Sequence, residues 1–160
     1  MSGADHDQLM TDAAATELIH NQIPLCATLN ITAETFRPDE VVLSLDWTPT
    51  LCTSNNVLHG GIVVTLADSA AGVCAFLNLP DGAEGTATIE SKTNFLRPLT
   101  MGAGTARGGD GPSGPAIRTG TVKAHSHPLH IGTRTIVVET EVRGDNGKLA
   151  AKLLQTQAIL

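Results

Sequence analysis

The stretch that decides the fold is GGIVVTLADSAAGVCAFLNL, residues 60–79. It is too long for a strand and apolar almost all the way round, which predicts a helix buried on every side. Pro80, Asp81 and Gly82 mark its end. Segments on both sides of it alternate apolar and polar residues, so we expect the helix to lie inside a sheet that curves around it.

The rest of the chain predicts about six strands. Residues 13–21 carry a short helical pattern that Pro24 ends. The alternating segments are 27–34 and 41–47, which form a hairpin, and 86–96, 119–124, 133–143 and 149–159. The last two are joined by a turn at Asn146 and Gly147. We predict an α+β fold in which an antiparallel sheet wraps one long central helix, with a tail and short helix at 1–22 and a single domain at 23–160.

Composition limits the classes of function. The chain has 160 residues, of which 41% are hydrophobic, as expected for one folded domain. A formal charge of −6 and an aromatic content of 2% are the opposite of a nucleic-acid-binding surface. The polar, acidic start lacks the pattern of a signal peptide, and no apolar run reaches the roughly 20 residues of a membrane span. We expect a cytoplasmic protein with no nucleic-acid or membrane partner.

Cysteines and a glycine-rich segment give little sign of chemistry. Cys26, Cys52 and Cys74 are odd in number and widely spaced, which favours core residues over a catalytic thiol or a zinc site. The segment GAGTARGGDGPSGPA, residues 102–116, predicts a loop. It lacks the Lys-Ser/Thr pair and following helix of a phosphate-binding P-loop.

Three histidines resemble a metal cluster. His125, His127 and His130 are closely spaced, but Pro128 interrupts the strand and no carboxylate lies at ligand spacing. We therefore predict no metal site, and a turn at residues 130–134.

The start of the central helix is the first candidate site. Gly60 and Gly61 each weaken a helix by around 1 kcal/mol relative to alanine, so their bare backbone should have a use. A helix N-terminus presents unpaired N–H donors, which suit a developing oxyanion. The alternative is that the two glycines only permit a tight turn into the helix.

Asp68 is the second candidate. An ionised carboxylate on an apolar helix is costly unless it is hydrogen-bonded or used, and a structural Asp bonded to Thr65 or Ser69 is the alternative. Eight residues separate Gly60 from Asp68, or roughly 12 Å along a helix axis. One helix cannot bring both to one reacting group, whereas two antiparallel copies about a two-fold axis can. If both act, the site lies across a dimer interface.

These residues resemble a known family. The runs LHGGIVVTLAD (58–68), FLRPL (95–99) and IGTRTIVVETEVRGDNGKLAAK (131–152) look like the hotdog-fold acyl-CoA thioesterases of the phenylacetate-degradation, PaaI-like type. The resemblance extends from about residue 24 to the end. It implies that Gly60 donates its N–H to the thioester carbonyl, that Asp68 activates water or attacks directly, and that Thr88 assists Asp68. His59 would help to set the loop.

The resemblance also implies substrate contacts. Where the family often carries Asn or Gln, this chain has Thr53, with Asn55 and Asn56 nearby, and we assign Asn56 to that place. Gly61 would join the substrate contacts beside Gly60. Arg97 and Arg134 would approach the phosphates of coenzyme A, against the alternative that they are solvated charges. The loop at 102–116 would border the coenzyme A channel.

The activity implied is hydrolysis of a small or aryl acyl-CoA without a metal or redox cofactor, coenzyme A being part of the substrate. The assembly implied is a homodimer with shared sites, and a dimer of dimers. Two other functions remain open: a hotdog enoyl-CoA hydratase or dehydratase, and a non-catalytic acyl-CoA-binding protein.

Overall fold

The computed structural model describes residues 12–100 and 120–160. The predicted loop at 102–116 lies outside them. The helices are α1 (Asp12–Gln22), α2 (Pro24–Leu29) and α3 (Gly60–Phe76), with single 3₁₀ turns at Pro49–Leu51 and Ser54–Asn56. The strands are β1 (Thr32–Phe36), β2 (Val41–Trp47), β3 (Thr86–Phe95), β4 (Gly120–Ile131), β5 (Thr135–Gly144) and β6 (Leu149–Ile159). No helix in these ranges is long and apolar enough to cross a membrane.

The six strands form one antiparallel sheet around α3. Their order is β1-β2-β4-β5-β6-β3, and α3 packs chiefly against β2, β3, β4, β5 and β6. The turn of residues 145–148 joins β5 to β6 in antiparallel register. The core between helix and sheet is built from small and aliphatic side chains around one tryptophan, including Leu43, Trp47, Leu66, Ile136 and Leu153. The predicted fold, a curved antiparallel sheet around a central helix, is confirmed.

The first predicted strand is wrong over its first half. Residues 24–29 form α2, because Pro24 occupies the first turn of a helix, where its missing N–H is harmless. Asn30 ends α2 in the left-handed conformation, at φ 53°. The strand begins only at Thr32. Pro24 thus opens a second helix as well as ending the first.

Helix α1 covers the outer edge of β1. The Ala33 N–H donates to Thr16 Oγ1 at 2.9 Å, and His20 Nε2 lies 2.7 Å from the Ile31 carbonyl oxygen. These contacts occupy backbone groups that an edge strand would leave open. The remaining edge of the sheet is β3.

Strand β4 is longer than predicted. It runs to Ile131, and Pro128 does not interrupt it, because a register shift between Pro128 and His130 accommodates the ring. The turn is therefore shorter than the predicted 130–134. His125 and His127 face Glu40 Oε1 at 3.9 and 3.7 Å. Within the described ranges no three His, Cys, Asp or Glu residues are placed to hold a metal ion.

Helix α3 is not buried on every side in the single chain, contrary to the prediction. Nine of its residues are buried, but Gly61, Asp68 and Phe76 are exposed along one stripe. Strand β3 lies beside this stripe and is open as well, with residues 88–92 all exposed. The open stripe of α3 and the free edge of β3 together form one surface, which we call the open face.

Candidate active site

The first turn of α3 leaves one backbone donor free. His59 is the N-cap: its Nδ1 accepts from the Gly61 N–H at 2.9 Å. Its carbonyl oxygen accepts from the N–H groups of Ile62 and Val63 at 2.9 and 3.2 Å. The Val63 bond is the first regular bond of the helix, and the His59 N–H donates to the Leu51 carbonyl oxygen at 3.0 Å. Three of the four N–H groups that a helix start cannot pair internally, those of His59, Gly61 and Ile62, are thereby satisfied. The fourth belongs to Gly60, and no described residue accepts from it.

Both glycines are needed for space rather than for a strained turn. Neither has a positive φ. A Cβ on Gly61 would lie 3.0 Å from His59 Nδ1, and a Cβ on Gly60 would lie 3.3 Å from the Phe95 ring. The Gly61 N–H is already bonded to His59, so it is not available for the substrate contact that the resemblance implied. The Gly60 N–H is available for such a contact.

A cavity of about 330 Å³ opens beside Gly60. Its walls are mainly apolar and come from the loop before α3, from α3, from the end of β3 and from the start of β6. They include Thr53, Gly60, Val63, Phe95 and Ala151. Neither Asn55 nor Asn56 lines it. Of the three candidates for the Asn/Gln position, the structure thus places Thr53 at the cavity.

Asp68 belongs to a polar cluster at the other end of β3. The Thr88 hydroxyl donates to Asp68 Oδ1 at 3.4 Å. The Gln155 side-chain amide donates to the same Oδ1 and, at 2.8 Å, to Thr88 Oγ1. Gln157 Nε2 also donates to Thr88 Oγ1 at 2.8 Å. Thr88 and Asp68 are therefore brought together, as the resemblance implied.

Asp68 is not bonded to Thr65 or Ser69 of its own helix, which was the alternative to a functional role. Thr65 donates its hydroxyl to the Gly61 carbonyl oxygen at 2.9 Å, one turn back along α3. Ser69 is buried on a different side of the helix, whereas Asp68 is exposed on the open face. The carboxylate is held by β3 and β6 instead of by its own helix.

Sequence reasoning missed Gln155 and Gln157. Every second residue of β6 from Ala151 through Leu153 points into the core, and the two glutamines occupy the next two inward positions. They are 0% and 2% exposed. A polar residue at two successive core positions is a signal that could have been read, because buried amides need partners.

The two arginines lie at opposite ends of the sheet. Arg97 Nη1 donates to the Leu149 carbonyl oxygen at 2.8 Å, at the start of β6. The Arg134 carbonyl oxygen accepts from Ile159 N–H at the end of β6. Eleven residues of strand span roughly 33 Å. Within one chain, Arg97 lies at the Gly60 end and Arg134 at the Asp68 end, so the two do not meet.

Comparison with known proteins finds thioesterases and esterases. A family model described as "Thioesterase superfamily" matches residues 55–108, which include the N-cap, α3 and β3. The chain is similar to that superfamily over this stretch, 54 of its 160 residues. Its structure is similar to a thioesterase of Haemophilus influenzae, at TM-score 0.74 and 22% identity over 96% of this chain and 92% of that one.

Further similar proteins include two from Escherichia coli. The structure of the PaaI protein from its phenylacetic acid degradation operon has a TM-score of 0.72 at 16% identity, covering 91% of each chain. Its 1,4-dihydroxy-2-naphthoyl-CoA hydrolase is 29% identical over 104 residues, 65% of this chain. A candidate esterase of Saccharolobus solfataricus is 34% identical over the same length. The chain covers only 62% and 60% of these last two proteins.

The three thiols are not part of the Asp68 cluster. Cys26 and Cys74 are buried as predicted, whereas Cys52 is half-buried. Burial, aided by the negative charge of Asp39, raises the pKa of Cys74 to about 12. Burial also raises the pKa of Cys26 and Cys52. A raised pKa disfavours the thiolate that a nucleophile needs.

Proposed function

We propose that the chain hydrolyses the thioester bond of a small or aryl acyl-CoA, giving the free acid and coenzyme A. The observation that carries this proposal is that Gly60 lines an apolar cavity and that no described residue accepts from its N–H. A backbone donor at a helix start stabilises the negative charge that develops on a carbonyl oxygen under attack. The E. coli relative named as a naphthoyl-CoA hydrolase supports an aryl acyl-CoA substrate.

The proposed reaction uses the chain's own groups. The Gly60 N–H polarises the thioester carbonyl, and Asp68 removes a proton from water as the water oxygen bonds to the carbonyl carbon. The tetrahedral intermediate then expels the sulfur: the C–S bond breaks, and the proton passes to the thiolate of coenzyme A. Thr88 holds the carboxylate, and His59 keeps the first turn of α3 in place by capping it. Direct attack by Asp68 is the other route, and single-turnover labelling with heavy-oxygen water separates the two.

We propose further that each site is shared by two copies of the chain. Gly60 and Asp68 lie on one straight helix, roughly 12 Å apart along its axis. An antiparallel second copy would set Gly60 of one chain opposite Asp68 of the other. The same two-fold operation would bring Arg97 of one chain and Arg134 of the other to one side of the site, where both could face the phosphates of coenzyme A.

The open face supports this assembly. Strand β3 has ten residues and a free edge, a feature that folded proteins normally cover. Phe76, Ile89 and Phe95, on α3 and β3, are 54%, 62% and 57% exposed. Apolar side chains concentrated on one surface mark an interaction site. A second copy would pair with this edge and cover these side chains, giving a dimer, and a dimer of dimers is the larger assembly that we expect.

The cavity beside Gly60 is our proposed acyl pocket. Its volume of about 330 Å³ suits a small or single-aryl acyl group, and Phe95 is its one aromatic wall. Its other walls are aliphatic apart from Thr53 and Arg97. Thr53 is a polar group able to approach the acyl end, and Asn56 would have to move to reach it.

Release of free thiol from a panel of acyl-CoAs tests the proposal. We expect turnover on at least one small or aryl acyl-CoA, and we expect Asp68→Ala to lower kcat about a hundredfold or more while the dimer persists. Size-exclusion chromatography with light scattering reports the dimer. A hydratase would act on an enoyl-CoA without releasing thiol, and a binding protein would show affinity without turnover. Unchanged kcat in Asp68→Ala would show that this carboxylate does not act.

A further inference from the structure

We propose that the buried glutamines Gln155 and Gln157 are positioning residues that fix the direction of the Thr88 proton and so determine which oxygen of Asp68 reacts. The proposal rests on the function proposed above. It starts from two neighbouring amides on the core face of β6, both nearly inaccessible to solvent and both directed at Thr88.

The hydrogen-bonding capacity of Thr88 carries the argument. A hydroxyl group has one proton to donate and two lone pairs to accept with. The amide nitrogens of Gln155 and Gln157 both donate to Thr88 Oγ1 at 2.8 Å, so both lone pairs are in use. The single proton must then point to the remaining acceptor, Asp68 Oδ1, which lies 3.4 Å away. Without the two amides the hydroxyl could rotate away.

The two oxygens of Asp68 consequently differ. Oδ1 accepts from Gln155 and from Thr88, whereas Oδ2 accepts from no described residue. The electron pairs on Oδ1 are committed to the protein. Oδ2 is the oxygen left to remove a proton from water or to attack the thioester. The cluster fixes the carboxylate plane, which matters because small misalignments at a reacting group slow the chemistry.

Gln155 itself shows the character of a functional residue. Its Oε1 is buried and has no hydrogen-bond partner in the described structure. Exchanging the positions of the amide nitrogen and oxygen of Gln155 would not help, because it would place the oxygen against the Asp68 carboxylate. An unpaired buried acceptor destabilises a fold, so a residue kept only for stability would be apolar here. The amide is explained by what its nitrogen does.

The test compares kcat with stability in matched variants. Gln155→Met and Gln157→Met keep the length of each side chain and remove the donors. We expect kcat to fall about tenfold in Gln155→Met and about threefold in Gln157→Met, with KM within about twofold of the parent. The melting temperature of Gln155→Met should equal or exceed that of the parent, because the orphan Oε1 is gone. A merely structural role would lower the melting temperature and leave kcat of the folded protein unchanged, which would overturn the proposal.

A double-mutant cycle makes the test sharper. Gln157 acts only through Thr88, so Gln157→Met should have no further effect on kcat in a Thr88→Val background. Additive losses would contradict the assignment. Thr140→Val is the matched control: it removes one of the two buried hydroxyls of the Ser126–Thr140 pair, 2.7 Å apart on the same sheet. It should lower the melting temperature and leave kcat unchanged.

A readout independent of turnover separates this proposal from the proposed function. If the parent hydrolyses none of the acyl-CoAs, the proposed function fails, and crystal structures of Gln155→Met and the parent decide the positioning role. We expect the Asp68 and Thr88 side chains to adopt new or multiple rotamers in the variant. Unaltered rotamers, with Thr88 still bonded to Asp68, would refute it.

Discussion

Replacing Gly60 by proline isolates the contribution of one N–H group. Proline removes the backbone donor, and the first position of a helix is where proline is tolerated best. His59, the preceding residue, has φ −61° and ψ 132°, which is close to polyproline II and avoids the helical region that a following proline disfavours. Gly60→Pro should therefore leave α3 intact while deleting the proposed oxyanion donor.

Loss of a single oxyanion-hole donor costs about 10²–10³ in kcat, or about 3–4 kcal/mol of transition-state stabilisation. A new Cβ at this position would lie 3.3 Å from the Phe95 ring, so the ring must shift by a few tenths of an ångström. Gly60→Ala introduces the same Cβ and keeps the N–H. The ratio of kcat in Gly60→Ala to kcat in Gly60→Pro cancels the effect of the Cβ and should be about 10²–10³.

The assay is thiol release under saturating substrate, with melting temperatures as the control for folding. Mixing also tests the shared site. When Gly60→Pro and Asp68→Ala chains are allowed to reassort, about half of the dimers contain one chain of each kind. In such a dimer one site combines the intact Gly60 of one chain with the intact Asp68 of the other, and the second site carries both changes. About a quarter of parental activity should therefore return. A kcat ratio near one would refute the role of the Gly60 N–H. Absence of recovery, with heterodimers demonstrated, would refute the shared site.

Two further predictions concern groups away from the site. With a thiol reagent at pH 8, Cys52 should react in the folded protein and Cys74 should not. Cys74 is buried, and its pKa is raised to about 12. Equal reaction rates for the two thiols would contradict the burial of Cys74. A hydrogen bond from Arg143 holds the pKa of Glu141 below its usual range. The pair therefore stabilises the fold at pH values above the ordinary glutamate pKa. This stabilisation is lost as the pH falls through the pKa that Glu141 has in the folded protein. The difference in melting temperature between Arg143→Ala and the parent should shrink between pH 7 and pH 3, whereas a constant difference would show that the ion pair contributes nothing.

Periodicity predicted the large elements because their patterns agree with their packing. Helix α3 and strands β2, β3, β5 and β6 fall within a few residues of their expected positions. The failure at α2 has a local cause: alternate apolar residues suggested a strand, but Pro24 at a helix start and Asn30 at its end dictate a single helical turn and a half. In so short a segment, the residues that begin and end a helix determine the structure more strongly than the alternation of apolar residues does.

The site was only half visible in the sequence. His59, Gly60 and Asp68 are close together in the chain and carry a family pattern, so they could be picked out. Gln155 lies 87 residues from Asp68, and the packing of α3 against β6 brings the two together, while the pairing of β6 with β3 adds Thr88. The register between two strands depends on the whole sheet, which no local pattern specifies. The same dependence on the whole sheet places Arg97 and Arg134 at opposite ends of it, which their local sequences do not indicate.

Among the described residues, three polar groups without a hydrogen-bond partner occur in the two halves of the proposed site: the Gly60 N–H, Asp68 Oδ2 and Gln155 Oε1. Gln155 Oε1 is buried, which is uncommon for an unpaired group, whereas Asp68 is exposed and Gly60 half-buried, so a ligand can reach them. The Gly60 and Asp68 groups lie too far apart for one chain to join them around a single thioester. Both lie on α3, beside a free strand edge and exposed apolar side chains, where a second copy would dock. The dimer that we propose would bring the Gly60 donor and the Asp68 oxygen together around one thioester and would cover the open edge, whereas a single chain does neither.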